Sequence, residues 1–431
     1  MTEGPPIHPL EALNGRVRAR FPMIDHDSLG NPRTYLNTGA GSLTVDAASR
    51  AAGEAHGRLN PMPGAVVAGE VETAALHGRV RDLAADFLHA RSGREISFHL
   101  SSTAALFDLA FALRGLLSPA ANVIVTDLDH MANISPWETV WGEAHGLEIR
   151  RARLTDEGML DLTHLLSLVD SRTGLVAVTS ASNGNGALVP LAELTEAVRE
   201  RSPSCLVAVD AVHHAPHGVL DVQGSGIDFL VFSGYKVFGP MLGVLWGREE
   251  ILERLRPYRV ETNKADLPGK FEMGMLNNAS IAALGAALDY LLWLSDLANG
   301  PGAAPPDRAS KFSSVMTLIA DYERMISRRV LEGFLTIGLQ GFRLFGIADP
   351  ARDGERVPTF AFDLGGLTAT ETKRRLWAES AIQIADGNHY SAAVVRHLGR
   401  PEGICRASFA HYDNAGTVDR FLGALARLAG R

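Results

Sequence analysis

An α/β fold, with one large, mostly parallel sheet and a smaller C-terminal α+β unit, is predicted by three observations. Short β-branched runs alternate with amphipathic helical stretches from about Arg94 to Arg248, the rhythm of a doubly wound sheet. Polar residues Ser101, His130, Asn183, Asp210 and Ser233 fall at or just after the ends of those runs, where open parallel sheets bind their ligands. The Pro- and Gly-rich segment Asn299–Arg308 then breaks the pattern, and a different order of elements follows it.

Taken in order, residues 1–30 are rich in Pro and His and are expected to pack as an arm on the smaller unit. Strands are expected at Ile96–Leu100, Asn122–Thr126, Leu175–Thr179, Leu206–Val209 and Phe229–Phe232, with Gly243–Trp246 after the next turn. Leu106–Leu117 and Leu191–Arg199 read as connecting helices, and another helix ends near Leu297. Beyond the break come an Arg-rich helix near Tyr322–Leu331, strands near Phe342–Phe345 and Thr359–Phe362, and a closing helix capped by Asn414, a favoured N-cap type. This divides the chain into an arm at 1–30, a large domain at 31–298 and a small domain at 299–431.

The composition narrows the partners. With 431 residues, 46% hydrophobic and 21% charged, the chain is an ordinary globular protein able to bury a sizeable core. A net charge of -8 without a basic, aromatic-interleaved cluster argues against nucleic acid and for a small molecule. No apolar run reaches the roughly 18 residues that span a bilayer, and Met1–Leu10 lacks signal-peptide regions; a cytoplasmic location with no membrane partner is expected. Cys205 and Cys405 make neither a disulfide framework nor a CxxC metal site, so no metal is expected.

Chemistry centres on Lys236, a single lysine in the apolar run Leu230–Gly247, within Ser233-Gly234-Tyr235-Lys236. Burial lowers a lysine's pKa and makes its amine nucleophilic, as a Schiff-base lysine requires. Asp210 ends Leu206-Val207-Ala208-Val209, where a carboxylate needs a positive partner. A protonated pyridine nitrogen would serve, attracting it by roughly 4 kcal/mol at about 4 Å and an effective dielectric near 20. Ser101-Ser102-Thr103 opens a helix after a strand, so its free N–H groups and hydroxyls suit a phosphate, and Ser233 adds a hydroxyl.

These residues, with Tyr35-Leu36-Asn37-Thr38-Gly39-Ala40, Leu128–Trp137 and Arg406–Tyr412, resemble the fold-type-I pyridoxal-phosphate enzymes of the class V aminotransferase and cysteine-desulfurase-like group. The resemblance covers nearly the whole chain. It implies an aspartate-aminotransferase-like fold, pyridoxal 5'-phosphate as cofactor, an α-amino acid as substrate and a homodimer with a shared active site. By the same resemblance Lys236 anchors the cofactor and moves the Cα proton, Asp210 holds the pyridinium, and His130 stacks on the ring. Asn183 lies near the phenolic oxygen and the substrate carboxylate, and His213 near the same oxygen; Ser101, Ser102, Thr103 and Ser233 hold the phosphate; and Tyr235 is a further cofactor neighbour. Arg406 clamps the α-carboxylate, with Asn37, Gly39, Ala40, Asn185, His389 and Tyr390 around the substrate, and the wall is expected to include His56–Pro61.

Departures from the family pattern narrow the reaction. Cysteine desulfurases of this group carry a nucleophilic cysteine in the loop that here reads Asp386-Gly387-Asn388-His389-Tyr390-Ser391, with Tyr390 at the cysteine's place. A phenol cannot accept a sulfane sulfur as a thiolate does. Tyr235 stands where desulfurases have histidine, Met275 removes a hydroxyl that reaches the partner's phosphate in relatives, and Asn185 replaces an apolar residue, which suggests a more polar substrate. The expected reaction is β-elimination from an S-substituted cysteine, a C–S lyase of the kind found in specialised metabolism, with His389 or Tyr390 as the acid. Transamination, epimerisation and decarboxylating oxidative deamination are the alternatives on the same scaffold.

Overall fold

The computed structural model describes residues 7–59, 62–300, 302–338 and 341–430. Residues 1–6 of the expected arm, 60–61 of the expected wall and 301 of the break lie outside the described residues. In chain order the strands are β1 (Thr34–Tyr35), β2 (Ile96–His99), β3 (Asn122–Thr126), β4 (Glu148–Ala152), β5 (Thr173–Thr179), β6 (Leu206–Asp210) and β7 (Phe229–Ser233). They continue with β8 (Gly243–Gly247), β9 (Arg343–Phe345), β10 (Thr359–Asp363), β11 (Ile382–Gln383), β12 (Ala385–Gly387) and β13 (Ile404–Ser408).

The large sheet has the order β2-β8-β7-β6-β5-β3-β4. Strands β3 to β7 pair in parallel, and β8 runs antiparallel between β7 and β2. Both faces are covered, which is why its strands read as continuous apolar runs. Alternate residues feed two separate cores: Leu230 and Phe232 join Val80, Leu284 and Leu288 on one face. Phe229 and Val231 join Leu109 and Leu245 on the other.

Strand β4 was not anticipated, because Glu-Ile-Arg-Arg-Ala is an edge strand whose three charged residues hide it from an apolar-run reading. The helix Asn278–Asn299 is long and apolar enough to cross a membrane, yet 61% of its most apolar window is buried. It packs on the helices Asp46–Arg58 and Ala68–Leu88, as a core helix does.

The C-terminal part forms an antiparallel sheet of order β12-β13-β10-β9, backed by the helix Arg308–Ile337, which Asp307 caps through a bond from the Ser310 N–H. That helix is three times the expected length, since a 3.6-residue apolar period continues either side of the Arg-rich stretch. Asn414 caps the closing helix Ala415–Leu428, as expected. The N-terminal residues do not rest on this part alone. Asn14 donates to the Tyr412 and Asp413 carbonyls, but Phe21 packs edge-on against Phe238 and Tyr290, beneath the large sheet's turn. A parallel β1–β11 pair and a bridge from Asn37 to Ser408 bring segment 34–42 across the gap between the sheets.

Candidate active site

The carboxyl ends of β2, β3, β5, β6 and β7 converge on a cavity of about 960 Å³ closed by β12, β13 and the loop between them. Lys236 enters it from a single turn, Gly234–Lys236, directly after β7. The turn is pinned by Phe238, which takes a left-handed conformation (φ 58°) and seats its ring edge-on against His411 and Tyr290. Lys236 is buried, and its Nζ donates to the Gly39 carbonyl. Burial, with the nearby Arg406 charge adding to it, brings its pKa down to about 7 against the opposing pull of Asp210. Much of it is therefore a neutral amine near pH 7.

Asp210 ends β6 with one carboxylate oxygen accepting the Val212 N–H at 2.8 Å. Burial pushes its pKa up to about 6, offset by that N–H and by Lys236, and no cation pairs with it at salt-bridge distance among the described residues. A cationic ring nitrogen would restore the charge. Beside it, sequence reasoning missed Asp129. Its carboxyl is fully buried, accepts from Asn133 Nδ2 at 2.7 Å and bonds the Thr126 hydroxyl; burial holds its pKa well above the usual carboxylate range.

The phosphate cup stands at the start of the helix Ser102–Ala112, with Ser101 as N-cap taking the Ala104 N–H. Ser102 Oγ donates to the Phe232 carbonyl at 2.8 Å and lies 2.7 Å from Ser233 Oγ. These two hydroxyls thus tie the helix start to the end of β7, and Ser101, Ser102, Thr103 and Ser233 all line the cavity. Gly243 was also missed: a Cβ there would lie 2.3 Å from the Ser101 carbonyl carbon and 2.6 Å from the Ser102 nitrogen.

His130 accepts the Ala132 N–H on Nδ1 at 3.0 Å, which puts its proton on Nε2, and burial lowers its pKa to about 4. Its ring stacks on Tyr390, with centroids 5.3 Å apart and planes at 28°. His213 bonds Thr359 Oγ1 through Nε2 at 3.0 Å, and its buried Nδ1 has no partner among the described residues. Arg406 projects from β13, 3% exposed, with Nη1 donating to the Asn183 carbonyl at 2.7 Å. Its Nε and the neighbouring Ser408 hydroxyl are buried without partners among the described residues. Burial lowers the guanidinium's pKa to about 10, and a bidentate carboxylate would reverse that. Gly39 is required beside it, since a Cβ would sit 2.6 Å from Ser408 Oγ and 2.9 Å from the guanidinium carbon.

Of the residues expected at the site, Gly39, Ala40, Ser101, Ser102, Thr103, His130, Asn183, Asp210, His213, Ser233, Tyr235, Lys236, His389, Tyr390 and Arg406 line this one cavity. Asn185 does not. It is 1% exposed, donates to the Gly158 carbonyl at 2.8 Å and accepts the Ala187 N–H, so it builds the turn and says nothing about substrate polarity. Asn37 does not line the cavity; its carbonyl accepts from Tyr35 and Ala40, its buried Oδ1 has no partner among the described residues, and the described part of His56–Pro61 does not line the cavity either. His389 donates Nε2–H to the Ile404 carbonyl at 3.1 Å, and burial takes its pKa down to about 3. It is a neutral imidazole, unsuited to the acid's role.

The donor set fits a phosphorylated pyridine carrying an aldehyde: a nucleophilic amine, a carboxyl without a cation, a phosphate-binding helix start, and orphaned buried polar atoms at Arg406, Ser408 and His213. Comparison with known proteins agrees. Residues 34–298 match the family model described as Aminotransferase class-V. A cysteine desulfurase of Pectobacterium carotovorum subsp. carotovorum (strain PC1) is 32% identical, the match covering 96% of this chain and 97% of that protein. One from Serratia proteamaculans (strain 568) is 30% identical over the same shares. Among solved structures, a cysteine desulfurase from Escherichia coli superposes with a TM-score of 0.77 at 26% identity, covering 96% of this chain and 98% of that one. The apo cysteine desulfurase of Thermococcus onnurineus NA1 reaches 0.82 at 24% identity over the same shares, a likeness of fold.

Proposed function

Because the chain belongs to the aminotransferase class-V family of pyridoxal 5'-phosphate enzymes, we propose that it cleaves an S-substituted cysteine by β-elimination. One water is consumed, and a thiol, pyruvate and ammonia are released. The observation that carries this reading is Tyr390, stacked on His130 in the loop where a persulfide-forming enzyme needs its thiolate. The only two cysteines, Cys205 and Cys405, are buried, and burial pushes both thiols up to about 12. Neither lines the cavity, so sulfur has no acceptor and leaves attached to its substituent. Likeness to proteins named cysteine desulfurases supports chemistry at the bond between Cβ and sulfur.

The bound cofactor supplies an electron sink for negative charge at the substrate's Cα. Lys236 would anchor it, Asp210 would keep its ring nitrogen protonated, His130 would pack against its ring, and Ser101, Ser102, Thr103, Ser233 and the N–H groups of the helix start would hold its phosphate. Arg406 holds the α-carboxylate and turns the Cα–H bond toward the Lys236 amine, which removes the proton. The Cβ–S bond then breaks, and the Tyr390 hydroxyl gives its proton to the departing sulfur. Leu100 and Met241, exposed by 86% and 82% next to the Ser101–Thr103 and Gly234–Lys236 turns, support a second copy closing the site.

A screen of the holoenzyme against S-substituted cysteines and plain amino acids, reading thiol, pyruvate and CO₂ together, tests the reading. Thiol and pyruvate are expected in equal amounts, and Tyr390→Phe should slow their release about 100-fold, the usual worth of a general acid. Pyridoxamine phosphate accumulating without thiol, or CO₂ in place of pyruvate, would instead favour transamination or decarboxylation.

A further inference from the structure

The resemblance assigns Asn183 to the cofactor's phenolic oxygen and the substrate carboxylate, and the residue lines the cavity, but both of its side-chain bonds go to the small-domain loop. Asn183 Nδ2 donates to the His389 carbonyl at 2.7 Å, and its Oδ1 accepts from Ser391 Oγ at 2.6 Å. This donor and acceptor pair fixes which way the amide faces. Both partners belong to the loop that carries Tyr390, and that loop needs holding. His389 and Tyr390 are consecutive non-glycine residues in the left-handed region, with φ of 54° and 57°. Such a conformation persists only where its surroundings over-determine it. Besides Asn183, the Met131 N–H on the Tyr390 carbonyl at 2.8 Å restrains it, and so does the stack on His130. The Asn183 carbonyl meanwhile accepts from Arg406 Nη1 at 2.7 Å. One residue therefore touches both the carboxylate clamp and the loop over the leaving group.

We infer that Asn183 is a positioning residue: with Ser391 it locks the left-handed His389–Tyr390 pair, so that Tyr390 is set at a fixed distance from a substrate held by Arg406. The acid role of Tyr390 rests on the lyase reading above, but the locking of the loop does not. Losing the lock leaves the Asn183 backbone contact with Arg406 in place, so substrate binding is spared while leaving-group protonation is lost.

The test compares holoenzyme carrying Asn183→Ala, Ser391→Ala or Ser391→Thr. Amide hydrogen exchange over residues 387–391 and at Met131 should rise about tenfold or more in the two alanine variants, while Ser391→Thr, which keeps the hydroxyl, should stay near the parent. The resting visible absorbance maximum should not move. With cysteines whose sulfur leaves as a basic alkyl thiol, kcat should fall about 30-fold or more with KM nearly constant. With aryl thiol leaving groups, which need no proton, it should change less than about threefold. A shifted resting band with unchanged exchange would make Asn183 a cofactor ligand and overturn the proposal. Equal losses for alkyl and aryl leaving groups would reduce it to a fold-maintaining residue and overturn it as well. If the parent enzyme releases no thiol from either substrate, the lyase reading fails by itself, and the exchange result still decides whether Asn183 holds the loop.

Discussion

Lys236 is held where an ammonium is expensive, and that expense is readable in the apoprotein. Its pKa is about 7 in the folded chain against an ordinary 10.5. Between those values the unfolded chain binds more protons, so the penalty is absent above about pH 10.5, grows as pH falls, and is complete below about pH 7. Lys236→Met removes it, and the apoprotein should gain up to about 3 kcal/mol near pH 8, more at pH 6 and nothing near pH 11. Urea unfolding at these pH values checks this; a pH-independent gain would mean that packing, not charge burial, sets the difference. The same variant should lose both turnover and the visible band of the bound cofactor. Asp210 and Arg406 carry comparable penalties, with pKa values of about 6 and about 10. Each is a charge that burial destabilises and that the cofactor or substrate would satisfy. A site is thus marked by groups that the fold alone leaves unfavourable.

At the scale of elements, the strands that position these residues were legible because burial on both faces makes them uniformly apolar, and β3, β5, β6, β7 and β8 lie within two residues of where the sequence places them. What was not legible depends on tertiary neighbours. Strand β4 is an edge with Glu148, Arg150 and Arg151 on it, and β12 has Asp386 tied to Lys373 and Thr370; both look like loops in isolation. Asn185 looked like a substrate group because a turn asparagine and a binding asparagine have the same sequence appearance. Gly243 was invisible because its demand comes from a segment about 140 residues away. The antiparallel pairing of β8 with β2 puts Gly243 opposite His99, and the absent side chain lets the Ser101–Ser102 backbone pass. Gly243→Ala should displace that turn and weaken cofactor binding at least tenfold with the fold retained. Equilibrium dialysis of pyridoxal phosphate checks it, and unchanged affinity would show that the helix start does not hold the phosphate.

For the whole molecule, the question is how the long helix Arg308–Ile337 is registered against the large sheet, since the cavity lies between the parts each supports. A buried pair answers it. His217, in the turn after β6, and Glu323, on the helix, meet at 2.7 Å with each side chain 2% exposed. Burial pushes the Glu323 carboxyl above its usual range while His217 pulls it back, and its second oxygen has no partner among the described residues. The His217 ring also meets His213 edge-on at 5.6 Å, so the contact reaches the cavity wall. Such a pair specifies alignment more than it adds stability, because desolvating both groups offsets most of their attraction. His217→Leu alone strands the Glu323 carboxyl and should cost about 3–5 kcal/mol, whereas His217→Leu with Glu323→Met should recover most of that loss. Denaturant unfolding of the holoenzyme at about pH 7.5 measures both. If the double variant retains nearly parental stability but loses turnover, the pair serves alignment of the cavity wall; if the double variant is less stable than His217→Leu alone, the helix is registered by its apolar face and the pair is incidental.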